Sequence, residues 1–144
     1  MYIVSACLAG VKCRYDGEAN INEKVKKLVE EGKAVLVCPE VLGELSIPRK
    51  PCEIVKDEQG QERVLTEDGI DCTEAFEKGA LKTLEIAKIV GAKEAILKAK
   101  SPSCGCGQIY NGAFNRTLIE GDGLTARLLK QNGIKVYTEK DFKA

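Results

Sequence analysis

Tyr2-Ile3-Val4-Ser5-Ala6-Cys7 is a β-rich run with little alternation that ends in a thiol. Such a run suits a strand buried on both faces of a parallel sheet. The pattern returns twice. Val35-Leu36-Val37 leads into Cys38, and Ala95-Ile96-Leu97 is followed, one loop later, by Cys104. Between these runs the apolar period changes to that of a helix. Val25, Leu28 and Val29 share one face of a segment that starts near Asn20 or Asn22 and ends at Glu31. Asn20 with Glu23 resembles a capping box, and Gly32 is a stop signal. Phe76, Ala80, Leu84 and Ala87 mark a second helix, capped by Asp71 or Thr73, that runs to about Val90 before Gly91. Leu124, Leu128 and Leu129 mark a third, with Asp122 as its expected N-cap and Gly133 beyond it. A last strand covers 134–137.

Alternating strands and helices predict an α/β fold. The expectation is a single-domain Rossmann-like open sheet over residues 1–144, mostly parallel, with three main helices. Residues 39–53 carry Pro39, Gly43, Pro48 and Pro51, which argue against a long helix there. Ile54-Val55 and Val64-Leu65 flank Gly60 and predict a small β-hairpin insertion at about 53–67. Residues 100–121 read as one long loop.

In an open parallel sheet, ligands bind outside the carboxyl ends of the strands. Cys7, Cys38 and Cys104 therefore converge on one crevice and suggest a soft-metal site with a coordination position left free. The chain has 144 residues, seven cysteines and no histidine. Without imidazole, a transition-metal site must use sulfur and oxygen, and thiolates favour zinc, Cu(I) and iron–sulfur clusters. Seven is odd, so complete internal disulfide pairing is excluded. The N-terminus lacks a basic segment followed by an apolar one, and no apolar stretch is long enough for a bilayer, so a cytoplasmic protein without a membrane partner is expected. Lys+Arg and Asp+Glu balance at 22 each. Such neutrality disfavours polymeric nucleic acid as a partner and leaves small polar substrates open.

The other cysteines divide by position. Cys52 and Cys72 lie away from expected sheet ends and read as small buried hydrophobes. Cys13 shares a loop with Cys7, and Cys106 forms C-x-C with Cys104, so each is a rival ligand. A zinc site built from Cys7, Cys38, Cys104 and Cys106 is one alternative, and it would make the chain a zinc-stabilised binding module without catalysis. The paired C-x-x-C spacing usual for zinc is missing. A sulfide or persulfide carrier is another alternative.

Five blocks occur in order: Ser5-Ala6-Cys7-Leu8-Ala9-Gly10, Cys13-Arg14-Tyr15-Asp16-Gly17, Val37-Cys38-Pro39-Glu40-Val41, Ile47-Pro48-Arg49-Lys50-Pro51 and Ser101-Pro102-Ser103-Cys104-Gly105. Together they resemble the thiouracil desulfurase family over nearly the whole chain. The resemblance implies a [4Fe–4S] cluster held by Cys7, Cys38 and Cys104, supplied by iron–sulfur assembly machinery. It also implies non-redox removal of sulfur from a thiolated nucleobase such as 2-thiouracil. Glu40 and Ser101 match acid–base positions, and Arg14, Tyr15 and Ser103 are candidates for substrate binding. Two positions depart from the family pattern. Gly43-Glu44 stands where Gly-Gly is frequent, which would add a carboxylate near the pocket, and Cys13 stands where a non-cysteine residue is frequent.

The implied chemistry follows from softness. Three thiolates on four irons leave one iron open as a Lewis acid. A thione sulfur prefers such a centre, so water could replace sulfur at the ring carbon with sulfide left on the iron. With no histidine, Glu40 is the first choice of base for that water, and Ser101 would donate a hydrogen bond or relay a proton.

Overall fold

The computed structural model describes residues 1–143. Four strands form the central sheet: β1 (Tyr2–Ser5), β2 (Ala34–Val37), β5 (Glu94–Leu97) and β8 (Lys135–Thr138). Their order is β2-β1-β5-β8, and every neighbouring pair is parallel. The first strand is thus interior, with β2 on one side and the later strands on the other. This is the arrangement that opens a crevice at the strand ends.

Ile3 and Val4 are both fully buried yet join different cores, because successive side chains on a strand face opposite ways. Ile3, Val37 and Leu97 pack with Leu84, Ala87 and Leu129 on one face. There lie α3 (Thr73–Val90) and α4 (Leu124–Gln131). Val4 and Ile96 pack on the other face with Leu8, Val25 and Phe142, against α1 (Glu23–Glu30) and a 3-10 turn at Ala6–Ala9. The three main helices are those expected. A four-residue helix, α2 (Pro39–Leu42), is the longest that the Pro/Gly segment permits.

The expected hairpin is β3 (Cys52–Lys56) with β4 (Glu62–Thr66), antiparallel and separate from the main sheet. A second hairpin was not legible. Residues 100–121 contain β6 (Gln108–Tyr110) and β7 (Leu118–Glu120), each only three residues long, too short for a period to show.

Several caps differ from expectation. Asn22 caps α1, accepting from the N–H groups of Lys24 and Val25 at 3.1 and 3.2 Å. Asn20 instead takes a bond from Arg14 at 3.1 Å, so the Asn20–Glu23 capping box does not form. Gly123 stands at the N-cap of α4. The Asp122 carboxylate turns back, accepting from the N–H of Gly107 at 2.8 Å and pairing with Lys130 at 3.1 Å. It ties the second hairpin to the helix. No helix among the described residues is long and apolar enough to cross a membrane.

Candidate active site

The sheet order places Cys38, Cys7 and Cys104 after three adjacent strands, β2, β1 and β5. Cys7 lies in the 3-10 turn that follows β1, and Cys38 stands at the N-cap of α2. Cys104 lies in a turn closed by the Gly105 N–H bonding the Ser101 carbonyl at 2.9 Å. All three line one cavity of about 460 Å³, together with Cys13, Glu40 and Arg49. That size suits a small ligand.

Five free thiols line this space, with Cys7, Cys13 and Cys104 buried and Cys38 and Cys52 half-buried. The Cys38 thiol donates to the Cys13 carbonyl at 3.7 Å. Contact with the Cys13 thiol, and then burial, push Cys38 well above the ordinary thiol range. Cys13 stands at about 11, because the Cys7 thiol and burial outweigh the lowering by Cys38. Burial pushes Cys104 up to about 12, against the opposing hydrogen bond from Ser5. The Ser5 hydroxyl donates to the Cys104 sulfur at 3.5 Å and accepts from the Lys98 N–H at 2.9 Å. A serine at the end of the central strand thereby fixes the thiol of the third segment. Its only mark in the sequence is its place two residues before Cys7.

Glu40 lines the cavity and pairs with Arg49 at 3.1 Å, with side chains 19% and 8% exposed. Burial raises its carboxyl above the usual range, and Arg49 partly offsets this. Arg49 also donates to the carbonyls of Cys13 at 2.9 Å and Ser46 at 3.1 Å. One guanidinium thus joins the Cys13 loop to the carboxylate beside Cys38.

The remaining sequence candidates separate. Ser101 lines the cavity, and its hydroxyl accepts from the Cys104 N–H at 2.6 Å, so it shapes the turn that carries the thiol. Arg14 and Tyr15 line the cavity edge and stack on each other, 5.6 Å from guanidinium to ring centre. Ser103 is fully buried and shares a hydrogen bond with Thr125 at 2.8 Å, and it is not part of the cavity wall. Glu44 does not add a carboxylate to the pocket either: it points outward and pairs with Lys78 at 2.7 Å. Cys106 turns its sulfur to the Val136 carbonyl at 3.6 Å, away from the cavity. Cys52 and Cys72 are half-buried beneath the first hairpin and lie beside each other. Cys52 also touches the cavity edge, so it is more than a core filler. Sequence reasoning missed four further lining residues, Glu53, Tyr110, Phe114 and Arg116.

The donor set suits an iron–sulfur cluster. Thiols surround the space, hydroxyl and N–H donors stand beside them, and imidazole is lacking. A single zinc ion would need four ligands at bonding distance from one point. Among the described residues no three Cys, Asp or Glu side chains close on one ion.

Comparison with known proteins agrees with this geometry. A sequence profile described as 2-thiouracil desulfurase matches residues 2–141. The uncharacterized protein YbbK of Bacillus subtilis (strain 168) is 48% identical over 147 residues, covering 99% of this chain and 97% of that protein. Among solved structures, the [4Fe-4S]-dependent thiouracil desulfidase TudS superposes with a TM-score of 0.89 at 42% identity. The match covers 98% of this chain and 91% of that one.

Proposed function

The chain belongs to the 2-thiouracil desulfurase family, and on that premise we propose that it is an iron–sulfur-dependent desulfidase that replaces the thione sulfur of a thiolated nucleobase by oxygen. The observation that carries this reading is the meeting of Cys7, Cys38 and Cys104 in one cavity of a chain 42% identical to a [4Fe-4S]-dependent thiouracil desulfidase. Residues 1–144 act as one domain, in the cytoplasm, and receive the cluster from iron–sulfur assembly machinery.

Cys7, Cys38 and Cys104 are the residues that would hold the cluster, as thiolates. When bound through three cysteines, a [4Fe–4S] cluster supplies one iron free of protein ligands as a soft Lewis acid for sulfur. The residues around it do the rest. Ser5 keeps the Cys104 sulfur oriented. Ser101 holds the turn that presents it. Arg14 and Tyr15 bound the side from which the base enters. Glu40, desolvated and therefore more basic than an exposed carboxylate, takes the proton from the water that attacks the ring carbon. Arg49 keeps that carboxylate aimed into the cavity. Oxygen enters as sulfide leaves, and no net electron transfer occurs.

The test is anaerobic reconstitution followed by incubation with 2-thiouracil in the absence of reductant. Stoichiometric release of sulfide and uracil is the expected result. A colourless protein with stoichiometric zinc, or one that liberates sulfide only from thiols, would end this reading.

A further inference from the structure

Part of the cavity wall comes from a strap, residues 111–117, that joins β6 to β7 and contributes Phe114 and Arg116. Its backbone adopts conformations that L-residues rarely take: φ is 55° at Phe114 and 62° at Arg116. Such residues are strained and persist only where the surroundings hold them. Here one buried carboxylate holds them. Glu53, in β3, is 8% exposed. Its Oε1 accepts from the N–H groups of Gly112 at 2.9 Å and Phe114 at 3.2 Å. The strap lies so close to β3 that a Cβ on Gly112 would stand 2.6 Å from the Ile54 carbonyl oxygen. Tyr110, Phe114 and Arg116 reach the cavity from this support. Arg116 has no carboxylate within ion-pair distance among the described residues, unlike Arg14 and Arg49.

We propose that this strap is the specificity-determining wall of the site and that Glu53 is its positioning residue. Phe114 offers an aromatic face to a planar ring, and Arg116 offers guanidinium donors to an acceptor on the edge of that ring. This assignment rests on the desulfidase reading and adds the group that reads the ring.

Two measurements on the reconstituted holoenzyme test it. In steady-state kinetics with 2-thiouracil, Glu53→Ala should raise KM at least tenfold with kcat within threefold and with iron and sulfide content unchanged. Glu53→Gln keeps an acceptor oxygen and should restore KM to within threefold. Arg116→Ala, an exposed position, should raise KM at least fivefold with no change in thermal midpoint, and it decides the matter if Glu53→Ala fails to fold. Equal KM in Arg116→Ala and wild type, or equal defects in the Ala and Gln variants of Glu53, would overturn the proposal. The second measurement is tryptic cleavage after Arg116, which saturating 2-thiouracil should slow at least threefold in the wild type. Protection without sulfide release would keep the strap assignment and remove the desulfidase reading. Turnover without protection, and with unchanged KM in the variants, would do the reverse.

Discussion

Gly79, midway along α3, faces the carbonyl of Pro39 so closely that a Cβ on it would stand 1.8 Å from that oxygen. Gly43 makes the reciprocal approach, its own Cβ position lying 2.0 Å from the Ala75 carbonyl oxygen. The two glycines let α2 sit directly on α3, and α2 has Cys38 as its N-cap and carries Glu40. Glycine inside a helix ordinarily costs about 1 kcal/mol relative to alanine. Gly79→Ala should nevertheless lower stability by about 2–3 kcal/mol, since overpacking outweighs propensity. It should also lower the iron bound per chain. Urea denaturation and iron analysis on the same preparation check both outcomes.

The thiols can be sorted by colour. Replacing Cys7, Cys38 or Cys104 by Ala should give a protein that stays pale after anaerobic reconstitution. Cys106→Ala and Cys72→Ala should stay brown, because neither residue lines the cavity. Visible absorption with iron and sulfide counts reads the result. A brown Cys104→Ala variant beside a bleached Cys72→Ala would contradict the ligand set.

Glu40 predicts the acid side of the pH–rate profile. Burial raises its carboxyl and Arg49 opposes the rise. A base works only when ionised, so kcat/KM should climb with pH through a midpoint above the usual carboxylate range. Glu40→Gln should flatten that limb, lower kcat about 100-fold or more, and keep the cluster. Arg49→Met removes the opposing charge and should move the midpoint upward. Full activity in Glu40→Gln would take Glu40 out of the chemistry.

Asp71 couples the first hairpin to α3. Its Oδ1 accepts from the N–H of Thr73 at 2.9 Å and from the Thr73 hydroxyl at 2.5 Å, and that hydroxyl accepts from the Val64 N–H at 2.9 Å. The Thr73 side chain first, then its backbone, holds the Asp71 carboxyl below the usual range. Asp71→Ala should cost about 1 kcal/mol at neutral pH. Because the folded-state pKa is depressed, the wild type's advantage is full above the ordinary aspartate range. It disappears as pH falls through the depressed value. Urea midpoints of both proteins across acidic pH measure the difference.

Strand ends were legible because a run such as Ile3-Val4 or Val35-Leu36-Val37 declares itself locally, and topology then fixes where the next residue goes. Cys7, Cys38 and Cys104 meet for that reason. The contribution of Phe114 and Arg116 to the cavity was not legible, since they lie in a loop whose backbone bonds to Glu53, some sixty positions earlier. Ser103 and Ser5 show the same limit at closer range. Both hydroxyls flank Cys104, but Ser103 points inward to Thr125 while Ser5 reaches across from another strand. Glu44 escaped the pocket because a left-handed residue, φ 74°, turns the chain outward after α2.

The central sheet has an order in time as well as in space. Of its two interior strands, β1 precedes the other three strands of the sheet in the chain, yet its neighbour β5 comes from residues 94–97 and carries Cys104 behind it. No nascent chain shorter than that segment can offer all three sulfurs, and distant pairings of this kind form late. A cluster held by all three cysteines would therefore be completed only after the last of the three segments has been made.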